Sequence, residues 1–253
     1  MTKQIFALLL VFFYLVSVSF ASEESQDSTV YTPIPLVEYK TDWKNYVVPV
    51  ALITTGAIFS QTDNRDIFDF NRSDRNPHRT YFDDFMGAAI GPSVFLFDLV
   101  GEEKHHPVDQ VFLLGGSYVL SLGPALLLKY CFPASRPQGD GKYSFPSGHT
   151  TAAFAGAQVI YKEFKDSNSW IAYSGYIMAT AVGAARMINN KHWLCDVLAG
   201  AGLGILGAEL AYWIYFPIRN WVVEKINLKN NTQAFLAPSF TSESIGLSLS
   251  LKF

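Results

Sequence analysis

Residues 129–196 read KYCFPASRPQGDGKYSFPSGHTTAAFAGAQVIYKEFKDSNSWIAYSGYIMATAVGAARMINNKHWLCD. Three short polar blocks stand in this stretch between apolar runs: Lys129 with Arg136-Pro137, then Pro146-Ser147-Gly148-His149, then Arg186, His192 and Asp196. Lys129, Arg136 and Arg186 hardly ever lose their charge, and together they would make a strong anion site. Arg forks match phosphate oxygens in pairs and Lys supplies a point charge. Ser147-Gly148-His149 opens an apolar run that reads as a helix. A Gly at a helix start lets backbone N–H groups approach an anion, and the helix dipole favours negative charge there. His149 and His192 are suited to moving protons near neutral pH. His192 and Asp196, four apart, share one face of a helix. A carboxylate there can hold one imidazole nitrogen and leave the other free to attack.

The order of the apolar runs says whether the blocks meet. Run three (108–129) ends at Lys129 and run four (150–164) starts beside His149. Run five (170–188) ends around Arg186 and run six (194–216) starts after His192. In an up-and-down bundle, those two ends and two starts lie on one face. The expected fold is therefore all-α, an up-and-down bundle of about six core helices, membrane-embedded, with a short C-terminal β-hairpin-like tail.

On these residues the chain resembles the type 2 phosphatidic acid phosphatase and vanadium haloperoxidase superfamily. The resemblance covers roughly residues 109 to 217. The family's third block usually begins Ser-Arg, whereas this chain has Ala185-Arg186, which removes one hydroxyl contact. The resemblance implies a division of labour. His192 would attack phosphorus, Asp196 would orient it, and His149 would protonate the leaving oxygen. Lys129, Arg136, Arg186, Ser147 and the Gly148 N–H would hold the phosphoryl oxygens. It implies no cofactor and no metal. The substrate would be a phosphorylated lipid: phosphatidate-like, a polyprenyl pyrophosphate or a lipid A phosphate. Rival readings are a soluble periplasmic acid phosphatase of the same superfamily, a haloperoxidase, whose relatives are usually much longer, and a catalytically silent envelope binding protein.

Composition sets the compartment. The chain has 253 residues, a net charge of −3 and only 16% charged residues, with 20 Phe and 13 Tyr. The charge gives no reason to expect nucleic acid as a partner. The low charged fraction, below the usual quarter of a soluble domain, leans toward a membrane protein or a very buried core. Residues 1–21 read as a signal peptide: Lys3, an apolar stretch, then Ser19-Phe20-Ala21 as a small-x-small cleavage site. Residues 22–44 read as an extended lead-in, 45–217 as the helical domain and 218–253 as a tail. Cys131 and Cys195 read as two free thiols.

Other features carry blander readings. Run one (46–60) contains Pro49 and is short for a membrane span, which needs about 20 residues. The Asp- and Arg-rich stretch 61–80 reads as a solvated loop. Run two (81–100) carries Asp83-Asp84 near its start. Adjacent residues diverge on a helix, so these read as first-turn charges favoured by the dipole. His105-His106 fall at the end away from the site and read as solvent-exposed. Glu209, the one charge inside run six, is expected to face a partner helix or the far interface. After Pro217 the pattern turns polar with apolar interleaving, and Arg219 to Asn231 reads as a short surface helix. Phe235 to Phe240 and Ser244 to Phe253, the latter alternating apolar and polar, read as a hairpin around 241–244.

Sidedness follows from charge. Lys162, Lys165, Arg219, Lys225 and Lys229 gather away from the site, with Tyr161, Trp170, Tyr173, Tyr212, Trp213 and Tyr215 as an interfacial belt. The positive-inside rule then turns the catalytic end to the periplasm of a bacterial envelope. A cleaved signal followed by a spanning run one would turn it inward. A run one that does not fully cross, or an uncleaved leader, removes that conflict.

Overall fold

The computed structural model describes residues 34–62, 82–101, 104–139, 141–230, 233–241 and 244–252. The expected signal at 1–21, most of the lead-in and nearly all of the 61–80 loop lie outside the described residues. Two compact units emerge: a helical unit over 36–224, and a second that contains the C-terminal hairpin.

In chain order the elements are α1 (Lys44–Ser60), α2 (Phe82–Ala89), α3 (Val94–Phe97), α4 (Pro107–Cys131), α5 (Gly148–Phe164), α6 (Ser169–Ile188), α7 (Leu194–Asn230), β1 (Gln233–Thr241) and β2 (Ser244–Lys252). The helices match the six apolar runs with two differences. Run two is broken into α2 and α3 at Gly91-Pro92, where proline removes an N–H donor. Run six does not stop at Pro217: α7 continues through it for another 13 residues, to Asn230. The tail forms the expected antiparallel pair, with Gln233 opposite Lys252 and Thr241 opposite Ser244.

The bundle is built around α5 and α7. Thr150, Ala153, Ala157, Val159, Ile160 and Phe164 of α5 are buried, as are Tyr212 and Phe216 of α7. Glycines on α7 let neighbouring backbones approach closely. A methyl group on Gly204 would lie 2.5 Å from the Thr151 carbonyl oxygen of α5, and one on Gly202 would lie 2.6 Å from that of Pro49 in α1. The α5–α6 link is short and exposed at residues 165–167. Asn168 then caps α6, its Oδ1 accepting from the Trp170 and Ile171 N–H groups at 3.0 and 3.2 Å.

Two described helices are long and apolar enough to cross a membrane, α4 and residues 194–225 of α7. They differ in setting. The α7 window is 78% buried, as for a central helix, but the α4 window is only 28% buried. Phe112, Val119, Leu126 and Leu127 of α4 face outward, as do Trp170 and Ile177 of α6 and Trp213 and Trp221 of α7.

At the end away from the site, several of the charges are paired. Glu209 accepts from Lys162 Nζ at 2.8 Å and from Gln158 Nε2 at 2.5 Å, and Lys162 also donates to the Tyr39 hydroxyl at 2.7 Å. Glu209 thus meets a partner helix, as expected. His105 does not fit the expectation of exposure. It is buried, with Nδ1 2.9 Å from Glu163, which also accepts from the Tyr212 hydroxyl at 2.5 Å. His106 is exposed and caps α4. Arg219 pairs with Asp109 at 2.9 Å. The charge count behind the positive-inside reading is correspondingly smaller, because Lys162 and Arg219 are neutralised internally, and Tyr212 is a core residue rather than part of a belt. Cys131 is exposed and Cys195 buried, and the two are not joined by a disulfide.

Candidate active site

The predicted convergence is realised. Lys129 lies in the last turn of α4 and reaches across the following loop, donating to the carbonyls of Tyr143 and Pro146, each at 2.9 Å. That loop turns at Gly139 and Gly141, whose φ values of +80° and +102° suit residues without a Cβ. It is clasped from the far side by the α6–α7 connection. Trp193 Nε1 donates to the Ser135 carbonyl at 2.8 Å and Lys191 Nζ to Gln138 Oε1 at 3.0 Å. Ser147 N–H donates to the Asp196 carbonyl at 3.0 Å, so the second and third blocks are joined through the backbone.

His192 and Asp196 are almost wholly buried, at 3% and 1% exposure. His192 Nδ1 lies 3.4 Å from Asp196 Oδ2. The same oxygen accepts from the Trp193 N–H at 2.9 Å and from the Ser144 hydroxyl. The carboxylate is thereby fixed, and Nε2 of His192 is the nitrogen left for chemistry. Burial pushes the His192 pKa down to about 4, outweighing the opposing pull of Asp196. His192 is therefore a neutral imidazole across the physiological range.

His149 lies in the first turn of α5 and is more open. Burial first, and the Arg186 charge second, hold its pKa below 6.5, while Asp84 and Asp83 oppose them. Both histidines feel Arg186 and Lys129, and Lys129 in turn feels Arg136, Arg186 and Asp196. The three cations and two imidazoles therefore share one electrostatic neighbourhood. Two buried atoms in it lack a hydrogen-bond partner among the described residues: Nε of Arg136 and Nε of Arg186. A buried guanidinium N–H without an acceptor is costly, and an oxyanion would satisfy it.

Two expected ligands are differently engaged. Ser147 is fully buried as the N-cap of α5, its Oγ accepting from the Thr150 hydroxyl at 2.9 Å. Arg186 Nη1 donates to Asp83 Oδ2 at 2.6 Å and to Asp84 Oδ1 at 2.8 Å, while Asn189 Nδ2 donates to Asp83 Oδ1 at 3.0 Å. Asp84 Oδ1 also lies 3.2 Å from Nε2 of His149. Asp83 and Asp84 are in the first turn of α2, as expected, but they are part of the site. Two adjacent carboxylates diverge on a helix, yet one guanidinium can span them. The sequence signal was a pair of acids among apolar residues with no basic neighbour on their own helix. Ser144 and Asn189 carried no signal beyond their closeness to the blocks.

A cleft of about 220 Å³ lies beside the loop, lined by Ser60, Gln61, Cys131, Phe132, Pro133, Ala134 and Phe145. None of the eight predicted residues lines it.

Comparison with known proteins bears on this arrangement. Residues 100–220 match the PAP2 superfamily. The chain is 46% identical over 86 residues to the lipid A 1-phosphatase of Porphyromonas gingivalis, covering 34% of this chain and 19% of that protein. It is 31% identical over 96 residues to the bacitracin transport permease protein BcrC of Bacillus licheniformis, covering 38% and 45%. The chain thus spans less than half the length of each of these relatives. Among solved structures, Aquifex aeolicus LpxE is similar at 21% identity, with 58% of this chain and 91% of that one covered and a TM-score of 0.43. The PAP2-type phosphatidylglycerolphosphate phosphatase of Bacillus subtilis is similar at 20% identity, with 72% and 96% covered and a TM-score of 0.38. Asp83 and Asp84 lie outside the matched segment, whereas all eight residues singled out from the sequence lie inside it. The segment that resembles the PAP2 superfamily, residues 100–220, thus makes up just under half of the chain and holds every site residue singled out from the sequence.

Proposed function

We propose that the protein is a phosphatase that hydrolyses a phosphomonoester or pyrophosphate on a lipid head group at a bacterial membrane, through a phosphohistidine. One observation carries the reading. A buried, neutral His192 backed by Asp196 shares its neighbourhood with three cations, two of which have an unsatisfied buried N–H.

Nε2 of His192 attacks phosphorus, and the bond to the leaving oxygen breaks as His149 gives that oxygen a proton. Lys129, Arg136 and Arg186 offset the charge on the phosphoryl oxygens, and the Gly148 N–H at the start of α5 adds a donor. Their fixed positive charge does the electrostatic work that a metal ion does in other phosphoryl transfers. Water then attacks the phosphohistidine, with His149 accepting its proton, and phosphate leaves. The outward apolar faces of α4 and α6 support a lipid setting, and the likeness to a lipid A 1-phosphatase supports a phosphorylated lipid.

The test is phosphate release from phosphatidate, a polyprenyl pyrophosphate and lipid A, against p-nitrophenyl phosphate as the soluble ester. His192→Ala is expected to abolish turnover and acid-labile phosphoenzyme. His149→Ala is expected to slow turnover by roughly 10²–10⁴-fold, the usual value of a general acid. Full activity in His192→Ala would falsify the mechanism.

A further inference from the structure

Resting on that phosphatase reading, we infer that Asp84 is a positioning residue for the acid His149, so that two carboxylate–imidazole pairs, one on each side of the anion site, run the reaction. Asp196 serves the nucleophile His192. Asp84, supplied by a helix outside the family-matched segment, serves the proton donor.

The geometry separates the two acids of α2. The Asp83 side chain is 2% exposed and accepts from Arg186 Nη1 on one oxygen and from Asn189 Nδ2 on the other. Its role is to hold a guanidinium. The Asp84 side chain is 55% exposed and spans Arg186 Nη1 and His149 Nε2. Among the described residues it is the negative group in contact with the His149 ring. The charged groups facing that ring are Arg186 from α6 and Lys129 from α4, both of which disfavour a second positive charge, and Asp84 and Asp83 from α2, which favour it. A general acid must carry its proton when substrate arrives, and two cations beside it work against that. Asp84 is placed to restore it. In the first step the P–N bond to His192 forms while the P–O bond breaks and its electron pair stays on oxygen. The proton moves from the His149 imidazolium to that oxygen, and His149 becomes neutral beside Asp84. In the second step water loses a proton to His149, and the imidazolium again faces the carboxylate.

A leaving-group series distinguishes this role from packing. For Asp84→Asn, kcat/KM is expected to fall by on the order of tenfold or more on β-glycerophosphate, a fraction of what a general acid supplies. The loss should be smaller on phenyl phosphate and smallest on p-nitrophenyl phosphate, whose leaving oxygen needs least help from a proton. The alkaline limb of its pH profile should move to lower pH, and Asp84→Glu should restore part of both. Asp83→Asn, acting through Arg186, is the contrast, with an equal loss on all three esters. An equal loss for Asp84→Asn with an unmoved limb overturns the inference. So does a gain in turnover with tighter orthovanadate inhibition, which would make Asp84 a competitor for the anion seat. A wild-type protein that releases no phosphate from any ester refutes the phosphatase reading itself, whereas an active wild type with a flat Asp84→Asn series refutes only this inference.

Discussion

At the scale of single residues, two histidines of one chemical type are held in different states. His192 is enclosed, so desolvation dominates and its pKa falls to about 4. His149 is half-open and sits below 6.5, mainly through burial and Arg186. In the proposed mechanism the nucleophile His192 must be neutral and the acid His149 charged. kcat/KM should therefore rise as pH passes about 4, where His192 loses its proton. It should fall again below pH 6.5, where His149 loses its own. A pH–rate profile on β-glycerophosphate, whose poor leaving group needs the proton, checks this, and the profile expected is bell-shaped with an acidic optimum. A rate still rising above pH 7 would mean that another group donates the proton.

At the scale of elements, the site depends on how closely α7 approaches α5. Gly204 has no room for a side chain: an added methyl would meet the Thr151 carbonyl at 2.5 Å and the Ala155 nitrogen at 2.8 Å. Gly204→Ala must push the helices apart. It is expected to cost about 1–3 kcal/mol, the usual range for overpacking, read as a lowered Tm in detergent. Because Asp196 and Ser147 ride on these two helices, activity should fall with it. The alternation of runs and blocks made this pairing legible, since two helix ends and two helix starts must share one face. The same logic could not reach α2. Asp83 and Asp84 meet Arg186 more than 100 residues away, and no local pattern signals a contact of that span. His105 was hidden likewise, because Glu163 and Tyr212 come from helices far along the chain. Pro217 misled for a different reason. One lost backbone hydrogen bond does not end a helix whose two flanks are both packed or apolar.

At the scale of the whole molecule, helix length bears on which side of the membrane the proposed site faces. α1 spans 17 residues, or about 25 Å of helix at 1.5 Å per residue, less than the roughly 30 Å hydrocarbon core. A run that short need not cross, which fits a site on the periplasmic side. Gly141 lies exposed on the loop between the first and second blocks. Gly141→Cys, in a background lacking Cys131 and Cys195, should react with an impermeant thiol reagent in intact cells whose outer membrane has been permeabilised. Protection until the inner membrane is opened would place the site in the cytoplasm.

The short exposed link between α5 and α6 has a consequence for how the chain can be divided. Lys129, Arg136, Ser147, Gly148 and His149 all precede it, and Arg186, His192 and Asp196 all follow it, at the opposite end of both helices. The gene could therefore be cut between Asp166 and Ser167 without touching the chemistry. Neither fragment alone holds both histidines. Co-expressed, the two should reassemble through the α5–α6 and α5–α7 contacts and recover phosphate release, so that the split protein reports the meeting of its halves. Activity from either fragment alone would show that the site is not shared between them.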